Sequence, residues 1–229
     1  MRVYTDIAKN DDEILENFTL LVDKKTSSSV YSDALFKLGK KLANQINNKI
    51  DSSNKVVFSC TTEDADWLGK GIIDNLAVNQ NIGLAVFWNL RTQPFNDNKL
   101  TIAPIIKSYI ENIENCDTLI ICKSIIYTSC VVRTNLTYLI NKINPKKIII
   151  VAPVIFNKAQ EFLSSEFDVS ISSKFEYIYF AVDDQVTVNG EVIPGIGGNI
   201  YTRLGFVDSE DKNKYIPKLV MERREEHYG

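Results

Sequence analysis

The stretch DTLIICKSIIYTSCVVRTNLTYLINKINPKKIIIV, residues 117–151, decides the fold. It begins with a short apolar run, Thr118 to Cys122, and ends with another, Ile148 to Val151. Between them, Val131 to Ile143 carries apolar residues at helical spacing. This order predicts a βαβ unit with parallel strands.

The polar turn of that unit, Lys123 to Cys130, lies where ligands of open α/β sheets bind. The carboxyl end of a strand and the positive start of the next helix meet there. An anionic ligand is therefore expected at this turn, yet the turn contains no glycine and no acidic residue.

Strand and helix patterns alternate along the rest of the chain at a spacing of roughly 30 residues, which predicts a mostly parallel sheet covered by helices on both faces. The predicted strands are Phe18 to Val22, Lys55 to Cys60, Ile82 to Trp88 and Tyr177 to Val182. Predicted helices carry Val30 to Ile50, Trp67 to Leu76 and Val154 to Phe162, with Ser27 among the candidate caps of the first and Asp64 or Asp66 for the second.

Turn residues add two hairpins. Asn96-Asp97-Asn98 suits the tip of an arm between Phe95 and Ile110, which we expect to stand out from the sheet, and Asn189-Gly190 predicts a second hairpin. Pro194 to Gly198 then forms a glycine-rich loop, which suits either close contact with a flat ligand or a tight turn. The charged tail, about residues 208–229, is expected to fray or to make a contact.

Composition limits the function classes. The 229 residues are 45% hydrophobic and contain no linker-like stretch, which predicts one domain, residues 1–229. A net charge of −3 argues against a nucleic-acid partner, and the lack of a long apolar run argues against a membrane one.

Four cysteines without C-x-x-C spacing are expected to be reduced and buried, and the single histidine excludes a histidine-based triad. We therefore expect a cytoplasmic protein with no metal site of its own.

Several segments resemble the uracil phosphoribosyltransferase family. Residues 21–27, LVDKKTS, are similar to its L-x-R-D-K-x-T-S segment, Gly83 to Pro94 to its strand and arm, and VIPGIG at 192–197 to its I-V-P-G-L-G uracil loop. The resemblance covers nearly the whole chain. It implies a type I phosphoribosyltransferase-like α/β fold with a mostly parallel sheet, a protruding β-hairpin arm and a C-terminal hood, usually as a homodimer or larger assembly. The family joins uracil to phosphoribosyl diphosphate with Mg²⁺ present.

The same resemblance indicates that the diphosphate site has changed. The family's D-P-M-x-A-T-G-G-S phosphate loop falls on Lys123 to Val131, so that its aspartate becomes Lys123 and its two glycines Ser129 and Cys130, while Tyr127 lies beside the one matching residue, Thr128. Its R-A-G pyrophosphate turn falls on Glu63, Asp64 and Ala65, and its tyrosine–arginine pair on Val86 and Phe87. The uracil loop is retained as Ile193, Pro194, Gly195, Ile196 and Gly197, but the aspartates after it are replaced, and Arg203 lies one place beyond the family's arginine.

Three hypotheses follow. In the first, the chain is a catalytically silent member of the fold that acts as a regulatory, ligand-binding or structural subunit, as a homodimer or with a related subunit. Acidic residues would then repel a diphosphate, by about 4 kcal/mol per contact at 4 Å and an effective dielectric of about 20. Val86, Phe87, Trp88 and Tyr127 would either fill an abandoned site or line a new pocket for uracil or a nucleotide.

The second hypothesis is an active uracil phosphoribosyltransferase that makes UMP and uses Mg²⁺, with Lys123, Arg91 and Arg203 as compensating cations. The third is an enzyme with another donor, in which the acidic segment from Glu63 to Asp66 serves a less anionic or metal-bearing ligand rather than capping a helix.

Overall fold

A six-stranded sheet forms the centre of the molecule, for which a computed structural model describes residues 1–78, 82–92, 101–188 and 190–228. The strand order is β4-β3-β2-β5-β7-β9, and β4 alone in this sheet is antiparallel to its neighbour. A second sheet has the order β1-β10-β8-β6, and β11 pairs with β12. The strands are β1 (Val3–Tyr4), β2 (Val56–Thr61), β3 (Gly83–Asn89), β4 (Ile105–Ile110), β5 (Thr118–Cys122), β6 (Ile125–Ile126), β7 (Lys147–Val151), β8 (Val154–Phe156), β9 (Phe175–Ile178), β10 (Ala181–Asp183), β11 (Gln185–Val186) and β12 (Val192–Ile193).

Helices cover both faces of the central sheet. They are α1 (Asp6–Lys9), α2 (Asp12–Val22), α3 (Ser28–Asn47), α4 (Thr62–Asp64), a π-helical turn (Ala65–Gly69), α5 (Lys70–Ile73), α6 (Cys130–Ile140), α7 (Ala159–Ser165), α8 (Val169–Ser172), α9 (Ile200–Arg203), α10 (Ser209–Lys214) and α11 (Lys218–Tyr228). Because successive strand residues point to opposite faces, Phe58 joins the core beneath α2 and α3, whereas Val57 joins the core beneath α6 and α7.

The predicted βαβ unit is confirmed. Strands β5 and β7 are parallel neighbours, with Leu119 opposite Ile148, and α6 connects them. All five residues of β5 are buried, as expected for an inner strand covered on both faces. The fold class predicted from the sequence, a mostly parallel sheet flanked by helices, is therefore confirmed.

Three local predictions were wrong. The run from Phe18 to Val22 belongs to helix α2. Asp11 caps this helix, and the helix buries one apolar stripe against α3. Val154 to Phe162 is not one helix: it begins as strand β8 and only then enters α7. Tyr177 to Val182 is divided between β9 and β10, which lie in different sheets, because the chain changes sheet at Tyr179 and Phe180.

The predicted hood corresponds to the second sheet and the β11–β12 hairpin, but its edge strand β1 comes from the amino-terminal segment. The first hairpin is present as β3 and β4, and β4 forms the edge of the central sheet instead of standing out from it. The tip expected at 96–98, and Asn189, lie outside the described residues.

The charged tail is not frayed over its described length, because α10 and α11 pack on the body of the protein and Lys212 is fully buried. All four cysteines are free and buried, as predicted. No helix in the described ranges combines the length and the apolar character needed to cross a membrane.

Candidate functional site

A cleft of about 820 Å³ opens at the carboxyl ends of β2 and β5. It brings together parts of all three segments singled out in the sequence. Its walls include every phosphate-loop position, namely Lys123, Tyr127, Thr128, Ser129 and Cys130, together with Glu63 of the pyrophosphate segment and Ile196 of the uracil loop. Asp64 and Ala65 are buried beside Glu63.

The turn before α6 keeps the backbone shape of a glycine loop without a glycine. Ser129 has φ 61° and ψ 2°, in the left-handed region that favours glycine, and this conformation costs about 1 kcal/mol or more for another residue. Its hydroxyl donates to the carbonyl of Ala159 at 3.3 Å and does not cap the helix. The N–H groups of the first turn of α6 lack intrahelical acceptors and therefore suit an anion.

A buried ion cluster closes the floor of the cleft. The Lys123 ammonium donates to Asp64 Oδ2 at 2.6 Å and to Ser124 Oγ at 3.3 Å, and it lies 3.1 Å from Glu63 Oε1. Asp64 also accepts from the Thr61 hydroxyl at 2.7 Å and from the Ser124 N–H at 3.2 Å. The predicted helix cap is therefore wrong for Asp64, since its carboxylate binds the adjacent strand and turn instead.

Lys212 of α10 completes the cluster. Its ammonium donates to the carbonyl of Asn89 at 2.8 Å and lies 3.7 Å from Glu63 Oε2, an oxygen that has no hydrogen-bond partner among the described residues. The four side chains Glu63, Asp64, Lys123 and Lys212 are each at most 9% exposed and together carry no net charge.

Mutual attraction favours the charged forms of Lys123 and Glu63, whereas burial raises the pKa of Asp64 and lowers that of Lys212. Burial opposes the charged form of Lys123, but Asp64 and Glu63 outweigh it and raise the pKa of Lys123 above its ordinary value. Burial likewise opposes the charged form of Glu63, yet Lys123 and Lys212 lower the pKa of Glu63. These acids therefore belong to a cluster in which two lysines offset their charge, and they are not the free acids on which the expected repulsion of a diphosphate was based.

The uracil loop is fixed by the amino-terminal segment. Asp183 accepts from the N–H of Gly195 at 2.8 Å and from two Arg2 nitrogens at 2.7 and 2.9 Å, and Arg2 also donates to the carbonyl of Gly195. The Tyr31 hydroxyl donates to the carbonyl of Ile196 at 2.8 Å. The alternative of a tightly held turn therefore describes much of this loop, and Ile196 is its contribution to the cleft wall.

Two expected site groups lie elsewhere. The Arg203 guanidinium donates to backbone carbonyls at the end of α2, the shortest being Asp23 O at 2.7 Å, and lies 4.6 Å from the Tyr31 ring centre. Val86, Phe87 and Trp88 are at most 2% exposed and fill the cores, whereas Tyr127 borders the cleft.

Asp66 holds the tail and takes no part in the cleft wall. Its carboxylate accepts from the N–H groups of Lys218 and Leu219, each at 2.8 Å, and from the Tyr215 hydroxyl, so it caps α11 and not the helix in which it lies. The described residues contain no group of three or more His, Cys, Asp or Glu side chains that could hold a metal ion.

Sequence reasoning missed two groups, Lys212 in the buried cluster and Tyr201 in the cleft wall. Lys212 gave no signal, because a lysine in a charged tail has the pattern of a solvated residue. Tyr201 lines the cleft from α9, and its place directly after the glycine-rich loop was the only available signal.

The charged side chains of the described cleft wall are Glu63, Arg91, Lys123, Glu191 and Asp208.

No protein-family model matches the sequence, and no curated protein matches it either. Similar solved structures do exist. That of the AQ2163 protein from Aquifex aeolicus has a TM-score of 0.67 and 18% identity, and the match covers 85% of this chain and 95% of that one. This similarity shows a shared fold.

Phosphoribosyltransferases are also among the similar structures. The adenine phosphoribosyltransferase of Trypanosoma brucei, in complex with AMP, pyrophosphate and ribose-5-phosphate, has a TM-score of 0.49 and 8% identity over 76% of this chain and 80% of that one. A hypoxanthine-guanine phosphoribosyltransferase of Bacillus anthracis has a TM-score of 0.41 and 16% identity over 55% and 70%.

Proposed function

We propose that this chain is a phosphoribosyltransferase-like protein that binds a uracil nucleotide or a related ligand without transferring a phosphoribosyl group, and that it acts as a regulatory or structural subunit. The observation that carries the proposal is the state of Lys123. Its ammonium donates to Asp64 and Ser124 and forms an ion pair with Glu63. A diphosphate or Mg²⁺ would therefore have to compete with these internal contacts to reach the lysine or the two acids.

The charge of the cleft supports this proposal. Transfer from phosphoribosyl diphosphate depends on cations placed against a polyanion. The charged groups of the described wall, taken with buried Asp64 and Lys212, sum to −1, and Arg91 is the one cation outside the buried cluster. A diphosphate would therefore gain little attraction, whereas one phosphate could bind the N–H groups that start α6.

One observation favours the alternative, an active uracil phosphoribosyltransferase. Ser129 keeps the left-handed conformation at a position where the resemblance places a glycine, so the loop retains the shape of a phosphate nest. In this alternative Arg91 and Mg²⁺ would compensate for the missing contacts.

Conversion of labelled uracil separates the two functions. The protein is incubated with phosphoribosyl diphosphate and Mg²⁺, and an active uracil phosphoribosyltransferase serves as the positive control. We expect no UMP above the enzyme-free background. Uracil-dependent release of pyrophosphate by this protein would overturn the proposal.

Binding is measured separately by calorimetry. We expect UMP to bind more tightly than phosphoribosyl diphosphate, because the cleft offers a diphosphate little attraction while the start of α6 suits a single phosphate. The variant Thr128→Ala removes an exposed hydroxyl, together with a methyl group, at the phosphate position and should weaken the binding of UMP. The control Thr134→Ala removes the same groups from a residue of α6 outside the cleft wall, whose hydroxyl donates to the Cys130 carbonyl at 3.0 Å, and should leave the affinity for UMP unchanged. Light scattering checks the proposed homodimer.

A further inference from the structure

Tyr201 is a half-buried aromatic residue of the cleft wall. It lies in α9, whose cap Asn199 accepts the Tyr201 N–H at 2.9 Å, and its half-buried ring lies 5.2 Å from the Lys212 ammonium. Three apolar side chains near Tyr201 in the chain also line the cleft: Val192 of β12, Ile196 of the loop that follows it and Ile200 of α9.

The hydroxyl of Tyr201 has both apolar and charged neighbours, since Val192, Ile196 and Ile200 line the same cleft and the charges of Glu63 and Lys123 act on the hydroxyl. No hydrogen bond among the described residues involves it, whereas the buried Tyr31 hydroxyl donates to a carbonyl. Burial, and then the neighbouring carboxylate of Glu63, raise the pKa of Tyr201 above its ordinary value. The hydroxyl therefore stays protonated at neutral pH and can donate a hydrogen bond.

We propose that the Tyr201 hydroxyl donates a hydrogen bond to a carbonyl oxygen of a planar heterocyclic base, and so determines which bases the cleft accepts. This inference rests on the proposed nucleotide-binding function. Ligand pockets are commonly apolar with a few polar groups that fix orientation, and a phenol beside three aliphatic side chains fits the edge of a neutral ring.

A phosphate contact fits this position less well. The charges that act on the Tyr201 hydroxyl oppose one another, Glu63 and Asp64 against Lys123 and Arg91, whereas the start of α6 offers free N–H groups to an anion. We therefore assign the phosphate to the start of α6 and the base to Tyr201.

The variant Tyr201→Phe tests this assignment, because it keeps the ring beside Lys212 and removes only the hydroxyl. Calorimetric titrations with UMP and with ribose 5-phosphate, which lacks the base, are compared in wild type and variant. We expect the affinity for UMP to fall by about three- to tenfold, the value of one neutral hydrogen bond, and the affinity for ribose 5-phosphate to stay unchanged.

Tyr138→Phe is the matched control. Tyr138 is also half-buried and also has a lysine ammonium, that of Lys142, 4.9 Å from its ring centre, but it lies in α6 away from the cleft wall. Its loss of a hydroxyl should leave both affinities unchanged.

Each other outcome has a defined meaning. If Tyr201→Phe weakens the binding of UMP and of ribose 5-phosphate equally, the hydroxyl contacts the phosphate or the sugar, and the base contact is overturned. An unchanged affinity for UMP would also overturn the base contact. If wild type binds neither ligand, the nucleotide-binding function itself fails. If wild type binds both and Tyr201→Phe has no effect, only this inference fails.

Discussion

Replacing Lys123 with methionine should strongly destabilise the protein, because it leaves Glu63 and Asp64 buried with only Lys212 to neutralise them. At 2.6 and 3.1 Å, the two attractions lost are about 6 and about 5 kcal/mol at an effective dielectric of about 20. The ammonium no longer has to be desolvated, which offsets several kcal/mol. We therefore expect the free energy of unfolding to fall by about 3 to 5 kcal/mol.

Urea unfolding at pH 7, followed by circular dichroism, measures this loss. Lys37→Met is the control. The ion pair between Lys37 and Asp33 is of similar length, 2.8 Å, but both side chains are exposed. The urea midpoint of this variant should therefore stay at the wild-type value. The double variant Lys123→Met, Asp64→Asn should recover part of the loss, since it restores neutrality. A loss below about 1 kcal/mol in Lys123→Met would refute the buried ion cluster.

The deficit of Lys123→Met should shrink as the pH falls from 7 towards 4. Without the lysine, burial raises the folded-state pKa of Asp64 further above its ordinary value. Between the unfolded and the folded pKa, the folded state then binds more protons than the unfolded state, so lower pH favours folding. A deficit that grows on acidification would contradict this assignment of the charges.

Three further predictions concern the loop, the tail and the thiols. Gly197→Ala should cost more stability than Gly198→Ala: both have positive φ, but a Cβ at 197 would overlap the Leu21 carbonyl, whereas the space at 198 is open. Asp66→Ala should lose about 1 to 2 kcal/mol and speed amide exchange in α11, since two N–H groups lose their acceptor. A thiol reagent at pH 8 should label Cys60, Cys116 and Cys122 only after urea unfolds the chain, because burial raises their pKa, that of Cys116 to about 12.

Much of the fold could be predicted from local pattern. Apolar runs of strand length that alternate with amphipathic helices specify a parallel sheet, and the order of β5, α6 and β7 follows from residues 117–151 alone. Predictions failed where a short segment has no period of its own: Val154 to Phe156 are three apolar residues that suit a helix or a strand, and the second sheet decides between them.

The sequence by itself determined that Lys123 and Glu63 stand where the resemblance places groups of opposite charge, and this was enough to doubt a diphosphate site. Only the tertiary structure decided what those charges do. Lys123 follows β5 and Glu63 follows β2, and because these strands are parallel neighbours the two side chains meet and neutralise each other. Lys212, the fourth residue of the buried ion cluster, belongs to the carboxyl-terminal tail. It is far from Glu63 in the sequence and lies beside it only in the folded protein, so no local sequence pattern could predict the contact.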